Sequence, residues 1–222
     1  MKRAICLHGH YRTFNVTEDY WRELLLNSDV YFHIWDTLDS TSSSHWKGRN
    51  TTTQLGNNEI YRLRLYNPKY IKVDKQTWTP EEHALTNPVN MPLKAYIYFW
   101  NGIYECLTEL KKTGIKYDQI IIGRYDVAIN STLAQHFELK ELRIYTSENR
   151  GVKYKQYTDS LICFSMSEID VLLAYCLFVE SDDFKQLYIN MDVPEQIFNQ
   201  FLEKNKIERL CGWTYENATI IR

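Results

Sequence analysis

The sequence lacks any run of about 18 uncharged apolar residues, which is the length that a membrane-spanning helix needs. Its first residues, Met-Lys-Arg-Ala-Ile-Cys, hold no long apolar stretch with a cleavage site, so neither a membrane span nor a secretion signal is predicted. The five cysteines are widely spaced and form no Cys-x-x-Cys pair. We therefore expect reduced cysteines in the core of a cytoplasmic protein, and no metal bound by cysteine.

An excess of charge of one sign is also missing, because 26 basic and 28 acidic residues leave a formal net charge of −2. Nucleic-acid binding is not predicted, since it favours a strongly basic domain, but a local basic pocket for one phosphorylated ligand is compatible with this balance. The 44% of apolar residues can form a core. The length predicts a single domain over residues 1–222.

Two common phosphate-binding motifs are absent. The sequence contains neither the P-loop pattern G-x-x-x-x-G-K-[ST] nor the dinucleotide fingerprint G-x-G-x-x-G. A nucleotide site in this chain therefore has to be built from other residues.

Strands and helices are predicted to alternate through the first two thirds of the chain. The predicted strands span residues 3–8, 29–35, 69–75, 117–129, 142–146 and 159–165. The predicted helices span residues 16–27 with Thr17 as N-cap, 91–114, 167–179, and 192–206 with Asp192 as N-cap. This order indicates an α/β domain with a mostly parallel sheet and helices on both faces.

In such sheets ligands bind beyond the carboxyl ends of the strands. The segments in which we expect ligand-binding residues are therefore 8–12, 35–39, 124–128 and 158–160. The long polar stretch at 36–58 is predicted to be a loop that closes over a ligand.

The turn after the first strand carries groups that suit a phosphate. Gly9 allows close approach of the backbone, Arg12 can form paired hydrogen bonds to phosphate oxygens, and His8 and His10 can donate to a phosphate or a base. A plain turn with exposed polar residues is the alternative.

Arg124 and Asp126 follow the most apolar strand, "IIIGRYDVAI". Burying both charges in the sheet is costly, so we expect them at its end, with Asp126 exposed. A carboxylate there suits Mn²⁺ or Mg²⁺, which fills its remaining coordination sites with substrate phosphate and water. A structural ion pair between Arg124 and Asp126 is the alternative.

Three further acids are candidates for the site. Asp159 precedes a predicted strand and is either a general base or a turn cap. Glu195 lies in the first turn of a predicted helix, where the helix dipole favours a carboxylate in any case. Asp36 ends "FHIWD" and either contacts a nucleotide or starts a loop.

The His-x-His pair after the first strand also suggests a metal-dependent hydrolase, which needs further ligands from later strands. The remaining histidines are His33, His45, His83 and His136, and only His33 lies near a clear strand end. A histidine phosphatase is disfavoured, because Leu7 stands where that class carries an essential arginine.

The order of "AICLHGHYRTF", "DVYFHIWD", "YDQIIIGRYDVAI", "YTDSLICFS" and "VPEQIFNQFLEKNKI" resembles the small GT-A-type glycosyltransferases of capsule and lipopolysaccharide loci. Related genes occur in large DNA viruses and phages, where the expected location is the host cytoplasm. The resemblance spans nearly the whole chain and implies a Rossmann-like domain. Its motifs are individually short, and position 124 holds Arg where the family's metal motif has a first carboxylate.

The resemblance implies sugar transfer from a nucleotide-diphosphate donor, with UDP-sugars favoured, to a glycan or another hydroxyl acceptor. It assigns the diphosphate to Gly9 and Arg12 with His8 and His10 beside them. It also assigns Asp36 to the nucleotide, Asp126 with Mn²⁺ or Mg²⁺ to the two phosphates, Arg124 to phosphate charge, and Asp159 and Glu195 to catalysis.

A non-catalytic nucleotide- or sugar-binding protein of the same fold is the alternative from another class. The sequence indicates neither the sugar, the acceptor nor an oligomeric state.

Overall fold

The computed structural model describes residues 1–38, 54–77, 81, 84–89, 91–129, 144–149, 156–206, 209–214 and 218–220, with backbone alone at 144–149, 156–160, 209–214 and 218–220. The strands are β1 (Arg3–Gly9), β2 (Asp29–Trp35), β3 (Tyr70–Asp74), β4 (Gln119–Arg124), β5 (Val127–Ile129), β6 (Ile144–Asn149), β7 (Gln156–Phe164), β8 (Arg209–Thr214) and β9 (Ala218–Ile220). The α-helices are α1 (Phe14–Leu26), α2 (Asn57–Arg64), α3 (Leu93–Lys112), α4 (Ile169–Val179), α5 (Asp182–Tyr188) and α6 (Glu195–Lys204).

Seven of the described strands form one sheet in the order β3-β2-β1-β4-β7-β6-β8. The ladders β3-β2, β2-β1, β1-β4 and β6-β8 are parallel, whereas β7 is antiparallel to both of its neighbours. β5 and β9 form a separate antiparallel pair. The prediction of an α/β fold with a mostly parallel sheet is confirmed.

β1 is an interior strand of the sheet, with β2 on one side and β4 on the other, and its composition explains why. Ala4, Ile5, Cys6 and Leu7 are fully buried, so both faces of the strand are covered. An unbroken apolar run of this kind is typical of a strand in a parallel sheet with helices on both sides.

Two apolar layers enclose the sheet. On one face Ile5, Leu7 and Ile121 pack with Trp21 of α1 and Leu63 of α2. On the other face Ala4, Cys6, Ile120 and Ile122 pack beneath the helices α3 to α6. Burial at this scale provides most of the free energy that stabilises the fold.

Several predicted boundaries are wrong. The predicted strand 117–129 ends at Arg124, where a turn at Tyr125 and Asp126 leads into β5. Thr17 is not an N-cap: it lies inside α1, and its hydroxyl donates to the carbonyl of Tyr125 at 2.5 Å. Asp192 is not the cap of α6 either, because Pro194 holds that position.

The prediction that the cysteines lie unbridged in the core is confirmed where side chains are described. Cys6, Cys106, Cys163 and Cys176 are buried and free of disulfides. Within the described ranges no helix is both long and apolar enough to cross a membrane. Most of the predicted loop at 36–58 lies outside the described residues, as do His45, His83 and His136.

Candidate functional site

The carboxyl ends of β1, β2, β3 and β4 lie along one edge of the sheet, because these four strands are parallel and adjacent. The turn after β1 begins at Gly9, with φ +105°, and includes Arg12, with φ +40°. Positive φ is easy for glycine and uncommon for arginine. A residue other than glycine keeps this backbone conformation only where contacts in the surrounding structure compensate for its cost.

Asp126 provides those contacts. Nη1 of Arg12 donates to Oδ2 of Asp126 at 2.7 Å. Nε of Arg124 donates to Oδ1 at 2.9 Å, and its Nη2 donates to Oδ2 at 2.6 Å. We call these three residues the arginine–aspartate cluster. It joins the ends of β1 and β4, two elements that the sequence predicted to meet at this edge.

Helix α1 fixes the backbone on both sides of Asp126. The Thr17 hydroxyl donates to the carbonyl of Tyr125, and Nε1 of Trp21 donates to the carbonyl of Val127 at 2.6 Å. Both donors are buried, so these bonds are shielded from water. The turn that presents Asp126 is therefore held by the helix that follows the Arg12 turn.

The electrostatics of Asp126 follow from these contacts. Its burial alone favours the neutral acid, but the positive charges of Arg124 and Arg12 outweigh that effect and lower its pKa to about 2. Asp126 is therefore ionised at neutral pH. Within the arginine–aspartate cluster itself, two guanidinium groups and one carboxylate give a formal charge of +1.

The expectation that Asp126 is exposed is wrong, because its side chain is only 2% exposed. Both of its oxygens accept guanidinium hydrogen bonds, so a divalent cation at this carboxylate has to displace an arginine and approach the other one. The described residues also contain no group of three or more His, Cys, Asp or Glu side chains able to hold a metal. The described side chains around Asp126 therefore do not fit Mn²⁺ or Mg²⁺, and their geometry matches the structural ion pair that the sequence left open.

The two histidines of the turn lie in different environments. His8 is 1% exposed, its ring lies edge-on to Phe99 at 4.6 Å, and burial followed by the charge of Arg124 keeps its pKa well below the ordinary value. Nδ1 of His10 donates to the carbonyl of Thr37 at 2.9 Å. His10 therefore links the turn after β1 to the segment after β2, whereas His8 is enclosed under α3.

His33 forms a second polar group that the sequence reasoning did not assign to this site. Its Nε2 donates to Oδ2 of Asp74 at 3.1 Å, and Nζ of Lys72 lies 2.9 Å from the same oxygen. Burial lowers the pKa of His33, against the effect of Asp74. Asp74 is next to the last residue of the predicted strand 69–75 and the last residue of β3, and this position on the same edge is the signal that could have revealed it.

The structure shows fewer contacts for the three other acids that the sequence predicted for the site. Asp36 follows β2, where its N–H donates to the carbonyl of Asp74 and its carbonyl accepts from Leu55. Asp159 lies inside β7 rather than ahead of it, and its side chain is outside the described residues. Glu195 is the first residue of α6, and burial raises its pKa. Within the described part of the chain, no hydrogen bond or ion pair joins Glu195 to the arginine–aspartate cluster.

A cleft of about 290 Å³ opens beside the ends of β2 and β3. Its lining includes aromatic, acidic and amide side chains, among them Trp35, Asp74, Tyr98, Asn101, Tyr104 and Glu105. Such a mixture suits a polar ligand with flat or apolar faces.

No family model matches the chain, and no curated protein matches its sequence. Solved structures do match, and three of them are glycosyltransferases. One, described as involved in glycosylation of the major capsid of PBCV-1, has a TM-score of 0.49 and 9% identity over 96% of this chain and 81% of that one. The glycosyltransferase GlyE of Streptococcus pneumoniae TIGR4 has a TM-score of 0.49 and 12% identity over 95% of this chain and 45% of its own. Its apo form has a TM-score of 0.47 and 11% identity, with the same coverage.

Proposed function

We propose that this protein is a glycosyltransferase that moves a sugar from a nucleotide-diphosphate sugar, with UDP-sugars favoured, to a hydroxyl of a glycan acceptor. The observation that carries the proposal is the arginine–aspartate cluster at the carboxyl edge of the sheet. It places two guanidinium groups beside a glycine turn, in the position where ligands of open α/β sheets bind.

The two arginines suit a diphosphate in shape and in charge. A guanidinium is planar, stays charged at all working pH values and forms paired hydrogen bonds with phosphate oxygens. The side chains of Arg12 and Arg124 are 29% and 23% exposed, so part of each side chain is accessible to solvent. Asp126 holds both groups in place before the ligand arrives, which reduces the entropy lost on binding.

In the proposed reaction the acceptor oxygen forms a bond to the anomeric carbon of the sugar. The bond from that carbon to the β-phosphate oxygen breaks, and its electron pair leaves with the nucleoside diphosphate. Arg12 and Arg124 stabilise the negative charge that develops on the leaving group. In this proposal the arginines, rather than a cation on Asp126, neutralise the diphosphate.

The acceptor hydroxyl also releases a proton, which a carboxylate takes up if the reaction inverts the anomeric centre. Asp159 and Glu195 are the proposed candidates. Burial raises the pKa of Glu195, and a higher pKa makes its carboxylate a stronger base.

The first experiment measures thermal stabilisation by UDP, GDP, CDP and ADP and by the matching nucleotide sugars, each with and without Mn²⁺. A ligand at 100 times its dissociation constant adds about 2.7 kcal/mol to the free energy of unfolding, which is visible as a rise in Tm. We expect one base to stabilise the protein clearly better than the others. If no nucleotide shifts Tm, the proposal is wrong.

Turnover separates the enzyme from the non-catalytic alternative. The transferase, given its donor and a hydroxyl acceptor, releases many molecules of nucleoside diphosphate per protein molecule. A binding protein of the same fold takes up the donor without releasing that product.

A further inference from the structure

Four charged or titratable side chains lie in register across four neighbouring strands. His33 pairs with Lys72 of β3 and with His8 of β1, and His8 pairs in turn with Arg124 of β4. Side chains in register on adjacent parallel strands lie on the same face of the sheet. Here that face is covered by α3.

Helix α3 reaches this row through Gly102. A Cβ atom at position 102 would lie 2.9 Å from Nδ1 of His33 and 3.2 Å from Cβ of His8. The first distance is shorter than packed atoms tolerate, so glycine permits the close approach of the helix to both rings. One turn earlier, Phe99 closes over the edge of the His8 ring.

His8 is thus enclosed by α3 on one side and by its strand neighbours on the others. Both ring nitrogens are buried, and neither has a hydrogen-bond partner among the described residues. Leaving two nitrogens unpartnered costs free energy, and the ring does not compensate by bonding to Arg124. What the ring supplies at this position is its volume and its lack of charge beside a guanidinium.

We propose that His8 is a positioning residue: its ring, seated against Gly102, fills the space beside Arg124 and thereby directs the Arg124 guanidinium toward Asp126. Gly102 belongs to the same arrangement, because a Cβ there would press first on the His33 ring, at 2.9 Å, and next on His8, at 3.2 Å. The effect on donor binding rests on the proposed function, whereas the placement of Arg124 does not.

The experiment uses three variants, His8→Ala, His8→Leu and Gly102→Ala. His8→Ala removes the ring, and His8→Leu keeps a neutral side chain of similar volume without ring nitrogens. Gly102→Ala disturbs the same ring from the helix side, so it remains informative if His8→Ala does not fold. Two readouts are compared: the rate at which phenylglyoxal modifies Arg124, mapped by peptide mass spectrometry, and the affinity for UDP-glucose. Arg22, an exposed arginine paired with Asp19 on α1, is the internal control for modification.

We expect faster modification of Arg124 in His8→Ala and in Gly102→Ala, with no change at Arg22. The affinity for UDP-glucose falls about tenfold in both variants, which is the loss expected when one charge-assisted hydrogen bond is misplaced. His8→Leu restores most of the affinity and the slow modification of Arg124, because in this proposal the volume of the side chain at position 8, and not a ring nitrogen, positions Arg124.

Two results overturn the inference. The first is an unchanged modification rate of Arg124 in both His8→Ala and Gly102→Ala. The second is a His8→Leu protein that binds UDP-glucose as weakly as His8→Ala while Arg124 stays protected, which shows that His8 itself contacts the donor. If Arg124 responds as expected but no variant and no wild-type protein binds UDP-glucose, the proposed donor fails and the positioning role of His8 stands.

Discussion

Nη1 of Arg12 lies 2.7 Å from Oδ2 of Asp126, and this contact joins two turns that are 114 residues apart in the chain. The carboxylate is buried, whereas the arginine remains partly exposed. Burying a charge is unfavourable unless it is paired, so the charged carboxylate of Asp126 can stay buried only while Arg12 and Arg124 pair with it. Asp126 in turn orients the two guanidinium groups. The same contacts therefore contribute both to the stability of this sheet edge and to its capacity to bind an anion.

Replacing Asp126 is expected to destabilise the protein. Asp126→Asn removes the charge that both guanidiniums face, and breaking a buried ion pair in this way costs about 3 kcal/mol. Urea unfolding at pH 7 measures the change. Asp19→Asn, which removes the carboxylate of an exposed pair with Arg22, is the matched control and should leave the unfolding midpoint unchanged. Equal midpoints for the two variants would contradict the role given to the cluster.

The contribution of Asp126 should depend on pH in a defined window. Because its pKa is about 2 in the folded protein and 3.8 ordinarily, the carboxylate adds stability above about pH 4 and loses that contribution as the pH falls toward 2. The shift corresponds to about 2 kcal/mol. The check is the difference in unfolding free energy between wild type and Asp126→Asn, measured from pH 7 to pH 3. A difference that stays constant over this range would show that Asp126 acts through packing alone.

Arg12→Gly should weaken donor binding without straining the turn. Arg12 has a positive φ, which glycine adopts freely, so this variant removes the guanidinium without forcing another side chain into the same backbone conformation. Loss of a charge-assisted hydrogen bond to phosphate lowers affinity about tenfold to about a hundredfold. Calorimetric titration with the stabilising nucleotide measures it, and Arg22→Gln is the control. Unaltered affinity in Arg12→Gly would remove Arg12 from the site.

Chelation of metals should leave donor binding largely intact. Both oxygens of Asp126 already accept guanidinium hydrogen bonds, so the arginines carry the charge of the diphosphate in our proposal. Titration of the donor in EDTA, compared with titration in Mn²⁺, checks this. A binding signal that disappears in EDTA and returns with Mn²⁺ would restore the metal role that the family resemblance implies.

Gly123 should not tolerate a larger residue. A Cβ at this position would lie 2.5 Å from Cη2 of Trp21, whose indole also holds the turn after Asp126. Overpacking of this kind costs about 1–3 kcal/mol, which thermal unfolding of Gly123→Ala measures. Gly56→Ala is the control, because the Cβ there meets only the flexible end of Glu59. A Gly123→Ala protein as stable as Gly56→Ala would show that α1 shifts freely on the sheet.

The elements that the sequence predicted well are those with a strong local pattern. β1 and β2 are short and mostly apolar, and α3 is a long helix with one apolar face and a left-handed Gly114 just after its end. By contrast, α2 was missed because only Leu63 of its eight residues is buried, so it has no apolar stripe to detect.

The meeting of Arg12, Arg124 and Asp126 at one sheet edge was predictable from the sequence, but their contacts in detail were not. The expectation that ligand-binding groups follow β1 and β4 needed only the rule for parallel sheets, and Arg12 and Arg124 do meet there. The burial of Asp126 was not predictable, because it depends on Arg12 from a distant part of the chain. His8 was assigned to the ligand because local sequence does not show that Gly102 brings a helix down onto its ring.

The central place of β1 in the sheet has a consequence for synthesis of the chain. β1 pairs with β4, and the Arg3 and Gln119 side chains that hydrogen-bond across this pair are 116 residues apart. On the ribosome, β1 and β2 emerge long before β4, so one side of β1 has no partner while the intervening segment is made. The apolar face of the newly made strand is exposed during that interval, which makes the early nascent chain a candidate for chaperone binding until β4 docks.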